Sequence, residues 1–222
     1  MITKIDKPVD QLKIGLLGFR YYCFSTVLDK HNISYEVLHD VSQIDESFDI
    51  IFESGVYYII PDEILQKPTY GFVGVHESPM PEGRGHAPIQ WTVLNNRNNL
   101  VISLYRLTKG VDAGDIIMQY NVGISDTDTL EILEVKRQQG ITECFDQFLD
   151  ELKQGIIVHR KQSGAGSYHN KRTPADSELD IDKPLSELWN LIRVCDNDNF
   201  PAYFMVGDTK VILRYEVVDD TV

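Results

Sequence analysis

Residues 72–91 read FVGVHESPMPEGRGHAPIQW, a short apolar run that changes into a loop rich in proline and glycine. Phe72–Val75 predicts a strand. The loop from His76 to Gly85 contains proline and glycine densely enough to fix its shape, and a helix is predicted from His86 to about Asn95. A strand that ends in a rigid polar loop is typical of an open α/β sheet, in which sites lie at the strand ends.

The segments before this stretch predict a βαβ unit of the nucleotide-fold type. Leu12–Leu17 is an apolar run that predicts a strand, followed by a helix at Tyr22–His31 and a second strand at Ser34–Leu38. Asp49–Glu53 predicts a further strand. The glycines near the first strand are too few for the GxGxxG fingerprint, so a dinucleotide is not favoured as the ligand.

The segments after the stretch predict two more strands and a long helix. Leu100–Leu107 and a segment ending near Val122 read as strands, joined by the polar loop Val111–Asp115. Asp128 with a glutamate three residues later is typical of a capping box at a helix start. Gly140 is expected to kink or interrupt that helix. Its second half has one apolar face, formed by Ile141, Cys144, Phe145, Phe148, Leu149 and Leu152.

The composition changes after residue 155, where the chain turns polar and rich in glycine. We predict one domain over residues 1–155 and, over residues 156–222, a linker plus a small C-terminal helix/hairpin appendage. The helix begins near Pro184, and the hairpin pairs Ala202–Val206 with Lys210–Tyr215. The predicted fold class is α/β, a Rossmann-like open sheet with a short C-terminal helix and β-hairpin.

Composition and charge limit the possible partners. The chain has 222 residues, of which 42% are hydrophobic, enough for one compact domain plus an appendage. Its 21 Lys and Arg against 34 Asp and Glu give a net charge of −13, which disfavours nucleic acid as a partner because phosphate backbones are bound by cations. No run approaches the ~18 apolar residues of a membrane span, and no signal peptide is evident. A cytoplasmic protein without a membrane partner is expected, and the three separated cysteines predict neither a disulfide nor a metal site.

Four polar residues in the predicted strand-end loops could carry chemistry. His76 could move protons, or it could be a hydrogen-bonded structural histidine. Asp112 could orient that ring and stabilise its protonated form, or it could form an Asx turn before Gly114. Arg84, between two glycines, could reach an anionic ligand or be an exposed loop residue. Ser78 could donate a hydrogen bond, but its surroundings lack the signature of a nucleophile.

The motifs taken together resemble a known family. His76–Pro81 with Arg84–Trp91 resembles the HxSLLPxxRGxxPxxW signature of the folate-dependent formyltransferases, the family with a methionyl-tRNA formyltransferase-like catalytic domain. Val111–Ile117 is similar to the second motif of that family, and Lys171–Asp180 to the segment after its catalytic domain. The resemblance covers roughly Asp49–Phe204, and the pattern is most similar to the sugar-nucleotide N-formyltransferases.

The resemblance implies a reaction and its partners. A formyl group would move from N10-formyltetrahydrofolate, the co-substrate, to the amino group of a dTDP-, UDP- or GDP-linked amino-deoxysugar. The product would enter surface polysaccharide (O-antigen, lipopolysaccharide) biosynthesis. Residues 1–155 would be the catalytic domain that binds N10-formyltetrahydrofolate, and a homodimer is expected. The alternatives are formylation of another small amine, such as glycinamide ribonucleotide, or a non-catalytic protein that binds folate or a nucleotide sugar.

The resemblance also implies roles for particular residues. The catalytic residues would be His76, as proton acceptor, and Asp112, as its orienting carboxylate. The cofactor-binding residues would be Tyr58, Ile59, Ile60, Thr108 and Asp112. The substrate-binding residues would be Ser78, Gly83 and Arg84.

One position departs from the family pattern. The family has an asparagine two residues before the histidine, which donates to the developing oxyanion, whereas this chain has Gly74. Loss of such a donor typically costs ~3 kcal/mol of transition-state stabilisation. Protonated His76, Ser78 or an ordered water could take over that hydrogen bond.

Overall fold

A six-stranded sheet forms the centre of the protein, whose structure is a computed structural model that describes residues 1–218. The strands are β1 Ile2–Lys4, β2 Ile14–Leu17, β3 Glu36–Leu38, β4 Ile50–Glu53, β5 Phe72–His76, β6 Arg84–Gly85, β7 Asn99–Arg106, β8 Ile116–Gly123, β9 Ile156–Val158, β10 Tyr168–His169, β11 Ala202–Val206 and β12 Thr209–Leu213. The helices are α1 Tyr22–Lys30, α2 Asp62–Leu65, α3 Pro88–Leu94, α4 Leu130–Lys153 and α5 Leu185–Arg193. The strands and helices predicted around residues 72–91 are all present, most within two residues of their predicted bounds.

The central sheet is mostly parallel, as predicted for the α/β class. Its strand order is β3-β2-β4-β5-β7-β8. Strands β3, β2, β4 and β5 run parallel, whereas β7 runs antiparallel to both of its neighbours, β5 and β8. All four residues of β2 and of β4 are buried, because both faces of a parallel strand are covered by other elements.

Helices α1 and α4 pack together on one face of the sheet. The predicted apolar face of α4 is confirmed, since all six of its residues are buried. Phe145 of that face makes edge-to-face contacts with Phe24 of α1 and Phe52 of β4, at ring-centroid distances of 4.8 and 4.7 Å. This aromatic cluster fixes the helices to the sheet beneath the strand ends.

The structure differs from the sequence-based prediction at three local positions. Helix α4 is capped by Thr129, whose side chain accepts a hydrogen bond from the Ile132 N–H, whereas Asp128 accepts from the Ser125 N–H outside the helix. The helix is continuous at Gly140, where a Cβ would lie 2.5 Å from Val122 Cγ2. Gly140 therefore allows α4 to approach the sheet closely. Helix α3 begins at Pro88 because Ala87 adopts a left-handed conformation with φ of 51°.

The segment predicted as a linker returns to the first 155 residues. Strand β9 pairs with β1, Arg160 forms a bridge with Ile116, and β10 pairs with β6. Helix α5 and the predicted hairpin, now β11 and β12, enclose a separate small apolar cluster. The division at residue 155 stays a prediction.

Residues 1–218 contain neither a membrane-spanning helix nor a cluster of metal-ligating side chains. No helix within residues 1–218 has both the length and the apolar character that crossing a membrane requires. The same residues contain no group of three or more His, Cys, Asp and Glu side chains arranged to hold a metal ion.

Candidate active site

A cavity of about 610 Å³ opens at the carboxyl ends of the parallel strands. Its lining includes Glu53 at the end of β4, His76 at the end of β5 and Asp112 in the β7–β8 loop. Arg137 of α4 closes one side. The volume lies within the range of ordinary small-molecule sites, and the position is the one predicted for an open α/β sheet.

His76 is held in a defined tautomer. The side chain is buried, with 6% of the residue exposed. Its Nε2 lies 2.9 Å from the carbonyl oxygen of Gly83, and a carbonyl oxygen can only accept a hydrogen bond. The neutral ring therefore carries its proton on Nε2, which leaves Nδ1 as the nitrogen that can accept a proton.

Asp112 lies beside that acceptor nitrogen. Its Oδ2 is 3.7 Å from His76 Nδ1, close enough to stabilise an imidazolium but too far for a hydrogen bond. The Gly85 N–H donates to Oδ2 and the Tyr105 hydroxyl donates to Oδ1, both at 2.8 Å. Burial, with the Asp112 and Glu53 carboxylates adding to it, holds the pKa of Tyr105 well above its usual value. Tyr105 therefore remains a hydrogen-bond donor to Asp112.

Glu53 is a buried carboxyl group in the same cavity. The residue is 8% exposed, and its Oε1 accepts a hydrogen bond of 2.7 Å from the Val56 N–H. Burial is the largest of the effects that raise the pKa of Glu53 to about 7, and the Asp112 and Glu77 carboxylates add to it. Glu53 was not predicted as a site residue from the sequence. Its position as an acidic residue at the end of the apolar run Ile50–Phe52 could have indicated one, since sites lie at strand ends.

A buried ion pair between Arg137 and Glu77 also lines the cavity. Arg137 Nε lies 3.7 Å from Glu77 Oε1, and the guanidinium also contacts Glu134. Burial lowers the pKa of Arg137, while Glu77 opposes that shift. The sequence analysis also missed this pair, because its two members are far apart in the chain and meet only when α4 packs on the sheet.

The residues proposed to bind the cofactor are brought together. Tyr58, Ile59, Ile60, Thr108 and Asp112 all line the cavity. Tyr58 and Ile59 form an exposed part of the rim, whereas Ile60 is buried under it. Thr108 and Asp112 approach from the opposite loop.

The residues proposed to bind the substrate do not line this cavity. Ser78 and Gly83 line a second cavity of about 400 Å³ on the other side of the loop. Arg84 Nε donates to Gln162 Oε1 at 3.0 Å, and its guanidinium lies 5.3 Å from the centre of the Tyr168 ring. Of the three residues, Gly83 accepts a hydrogen bond from His76, through its carbonyl oxygen.

The raised pKa of Glu53 has a consequence for stability. The pKa of Glu53 is about 7 in the folded protein, higher than in the unfolded chain. Its contribution to the stability of the fold is therefore fully present below the unfolded pKa. This contribution is lost as the pH rises to the folded pKa. We expect the difference in unfolding free energy between Glu53→Gln and the wild type to change by about 2–3 kcal/mol, in favour of Glu53→Gln, when the pH is raised from about 5 to about 8. Urea unfolding of both proteins at the two pH values measures this difference. An equal change in both proteins would contradict the burial of an ionisable group at Glu53.

A family model matches more than half of the chain. The model described as formyl transferase aligns with residues 30–149 of the 222. The matched region begins at the end of α1 and ends within α4, so it contains Glu53, His76 and Asp112.

Solved structures with this fold include three transferases. Methionyl-tRNA formyltransferase from Clostridium thermocellum matches with a TM-score of 0.74 at 20% identity, over 95% of this chain and 95% of that chain. A 4-N formyltransferase from Francisella tularensis matches with a TM-score of 0.75 at 17% identity, over 94% of this chain and 98% of that chain. The formyltransferase PseJ from Anoxybacillus kamchatkensis, in complex with UDP-4,6-dideoxy-4-formamido-L-AltNAc and tetrahydrofolate, matches with a TM-score of 0.60 at 27% identity, over 72% of this chain and 85% of that chain. The shared fold agrees with the predicted α/β class.

Proposed function

This chain belongs to the formyl transferase family, and on that premise we propose that it formylates a nucleotide-linked amino-deoxysugar. It is an enzyme of one-carbon transfer, and its formyl donor is N10-formyltetrahydrofolate. The observation that carries the proposal is the acceptor nitrogen of His76 beside Asp112 in an open cavity. The acceptor would be a primary amine of the sugar.

Formyl transfer to an amine has three requirements. The amine must lose a proton, the formyl oxygen must be stabilised, and both reactants must be held together. His76 meets the first requirement at Nδ1, because its Nε2–H is engaged with the Gly83 carbonyl. Asp112 stabilises the imidazolium that forms, and the hydrogen bonds from Gly85 and Tyr105 keep its carboxylate in place.

The cavity rim fits a folate. Tyr58 and Ile59 are 53% and 66% exposed, so they present apolar surface that a flat heteroaromatic ring could cover. Thr108 lines the same cavity and adds a hydroxyl group. These residues would hold the ring, and the bound folate supplies the formyl group.

An aromatic and cationic corner at the cavity fits a nucleotide. Phe19 stacks on Tyr57 with 5.1 Å between ring centroids, and the Arg20 guanidinium lies 4.1 Å above the Phe19 ring. Exposed aromatic rings can stack on a base, and a nearby guanidinium can bind a diphosphate. PseJ, which has this fold, was solved with a UDP-linked sugar.

The loop of residues 78–84 remains our proposal for further substrate contacts. Ser78 and Gly83 would contribute from the second cavity, and Arg84 would have to release Gln162 before it could bind a phosphate. The product would be a building block for a surface polysaccharide, and the proposed assembly is a homodimer.

The test is formyl transfer to a panel of acceptors. We expect the purified chain, given N10-formyltetrahydrofolate, to add one formyl group to one of a set of nucleotide-linked 3-amino and 4-amino deoxysugars. Mass spectrometry identifies the product by the replacement of one hydrogen by a formyl group. Glycinamide ribonucleotide in the same panel tests the alternative acceptor. Folate binding without any product would instead indicate a non-catalytic relative.

A further inference from the structure

Three neighbouring strands place Glu53, Gly74 and Tyr105 in one row. In the sheet register, Glu53 of β4 pairs with Gly74 of β5, and Gly74 pairs with Tyr105 of β7. Paired residues on neighbouring strands point to the same face of a sheet. His76, two residues after Gly74, lies on that face as well.

Gly74 leaves a gap in this row that its neighbours fill. A Cβ at this position would lie 3.3 Å from Glu53 Oε2, 3.2 Å from Tyr105 Cε1 and 2.1 Å from Leu107 Cδ1. The absence of a side chain at Gly74 therefore brings the Glu53 carboxyl next to the middle strand. It lies there in the same cavity as His76 and Asp112.

The two oxygens of Glu53 have different surroundings. Oε1 accepts the hydrogen bond from the Val56 N–H. Oε2 has no hydrogen bond to any residue in the 1–218 range. A carboxylic acid has one O–H to donate, and with Oε1 engaged as an acceptor that O–H is on Oε2.

The charges around Glu53 favour its protonated form. The charged and titratable groups that surround it are the carboxylates of Asp112 and Glu77, the guanidinium of Arg20, the phenols of Tyr105 and Tyr58, and the imidazole of His76. Both carboxylates oppose ionisation of Glu53, whereas Arg20 favours it. Burial opposes ionisation more strongly than any of them.

We propose that Glu53 is a catalytic residue, which as a neutral acid donates a hydrogen bond from Oε2 to the formyl oxygen during transfer; this rests on the proposed function. The amine nitrogen forms a bond to the formyl carbon, and the carbonyl π pair moves onto the oxygen that Glu53 contacts. That pair returns as the bond between the formyl carbon and folate N10 breaks. The proton that the amine loses through His76 is delivered to N10, so the products are a formamide and tetrahydrofolate.

Two other donors of the site are already engaged. The Tyr105 hydroxyl donates to Asp112, and the His76 Nε2–H donates to Gly83. Ser78 Oγ is buried on the side of the second cavity. Arg137 forms an ion pair with Glu77, but its Nε has no hydrogen-bond partner within residues 1–218, so it is a second unengaged donor on the cavity wall. Within the row of Glu53, Gly74 and Tyr105, the Glu53 O–H is the side-chain donor left free to stabilise an oxyanion.

Two substitutions test whether Glu53 acts by donating a hydrogen bond. Glu53→Gln can still accept from Val56 and presents an N–H where Oε2 lies, whereas Glu53→Ala removes the donor. We expect Glu53→Ala to lower kcat by about 10²–10³-fold, as loss of an oxyanion donor does, and Glu53→Gln to remain within about tenfold of the wild type. The wild-type kcat should fall as the pH rises through about 7, the pKa of Glu53, and this fall should be absent in Glu53→Gln. Glu46→Gln, in an exposed loop, is the control for the change of charge.

Binding provides a second readout that does not depend on turnover. We would measure Kd for N10-formyltetrahydrofolate and for tetrahydrofolate across the same pH range. Wild-type affinity for the formylated compound alone should weaken as the pH rises through the Glu53 pKa, and Glu53→Gln should lack this change. Equal pH dependence for both compounds, or a Gln variant as inactive as the Ala variant, would overturn the role of Glu53 while leaving the proposed function intact. Failure of the wild type to bind either folate would overturn the proposed function and this inference together.

Discussion

Replacing His76 by alanine lowers kcat/KM by about 10²–10⁴-fold, the range expected when a positioned acid–base group is removed. The ring supplies the Nδ1 acceptor beside Asp112 and the Nε2–H that donates to the Gly83 carbonyl. Alanine supplies neither. Steady-state formyl transfer to the acceptor identified in the panel measures the effect, and circular dichroism checks that the fold is kept.

Two further variants sharpen this test. His76→Gln retains an N–H that can donate to Gly83 but has no basic nitrogen, so we expect it to be as inactive as His76→Ala. His39→Ala removes an exposed histidine outside the cavity and should keep wild-type activity. Turnover of His76→Ala within tenfold of the wild type would show that His76 is not the proton acceptor.

Local patterns of the sequence were sufficient to predict the sheet. Ile14–Leu17 and Ile50–Phe52 carry no polar side chain, and so short an uninterrupted run is typical of a strand covered on both faces. The amphipathic face of α4 was equally readable because six apolar residues recur at helical spacing. These features depend on the nearest neighbours in sequence and on burial alone.

Features that depend on tertiary packing could not be predicted in this way. Gly140 reads as a helix breaker by propensity, but in the structure it gives α4 room against Val122. Asp128 has the spacing of a cap, yet its carboxylate is engaged by the Ser125 N–H and the Lys136 ammonium, so Thr129 caps the helix. At Gly140 the packing of the helix on the sheet decides the outcome, whereas at Asp128 competing local partners of the carboxylate decide it.

In the candidate site, too, some residues could be predicted from local sequence and others depend on tertiary packing. His76 and Asp112 were found because each follows a strand and because the motifs around them are specific. Glu53 was missed because its importance comes from sheet register: it is the neighbour of Gly74, twenty-one positions later in the chain. The departure at Gly74 was visible in the sequence, but the group that fills the space beside it was not.

Replacing Gly114 by alanine is expected to damage both stability and activity. A Cβ at Gly114 would lie 1.6 Å from the backbone oxygen of Arg106, and a backbone atom cannot rotate away as a side chain can. The β7–β8 loop must therefore shift, and it carries Asp112. We expect a loss of about 1–3 kcal/mol in unfolding free energy, as in overpacked sites. We also expect a fall in kcat/KM of about 10²-fold, since a displacement of ~1 Å can misalign a catalytic group.

The matched control is Gly123→Ala at the end of β8, where a Cβ would meet no atom within 4 Å. Its unfolding free energy should stay within about 0.5 kcal/mol of the wild type, as for ordinary surface substitutions, and its activity should be unchanged. Urea unfolding and formyl transfer, measured on both variants, separate the close approach at Gly114 from a general effect of adding a methyl group. A Gly114→Ala protein with wild-type stability and activity would show that this loop adjusts freely, and Asp112 would then not depend on the close approach of the loop to β7. Loss of activity with unchanged stability would instead mean that the loop moves at little energetic cost and that catalysis depends on where it holds Asp112.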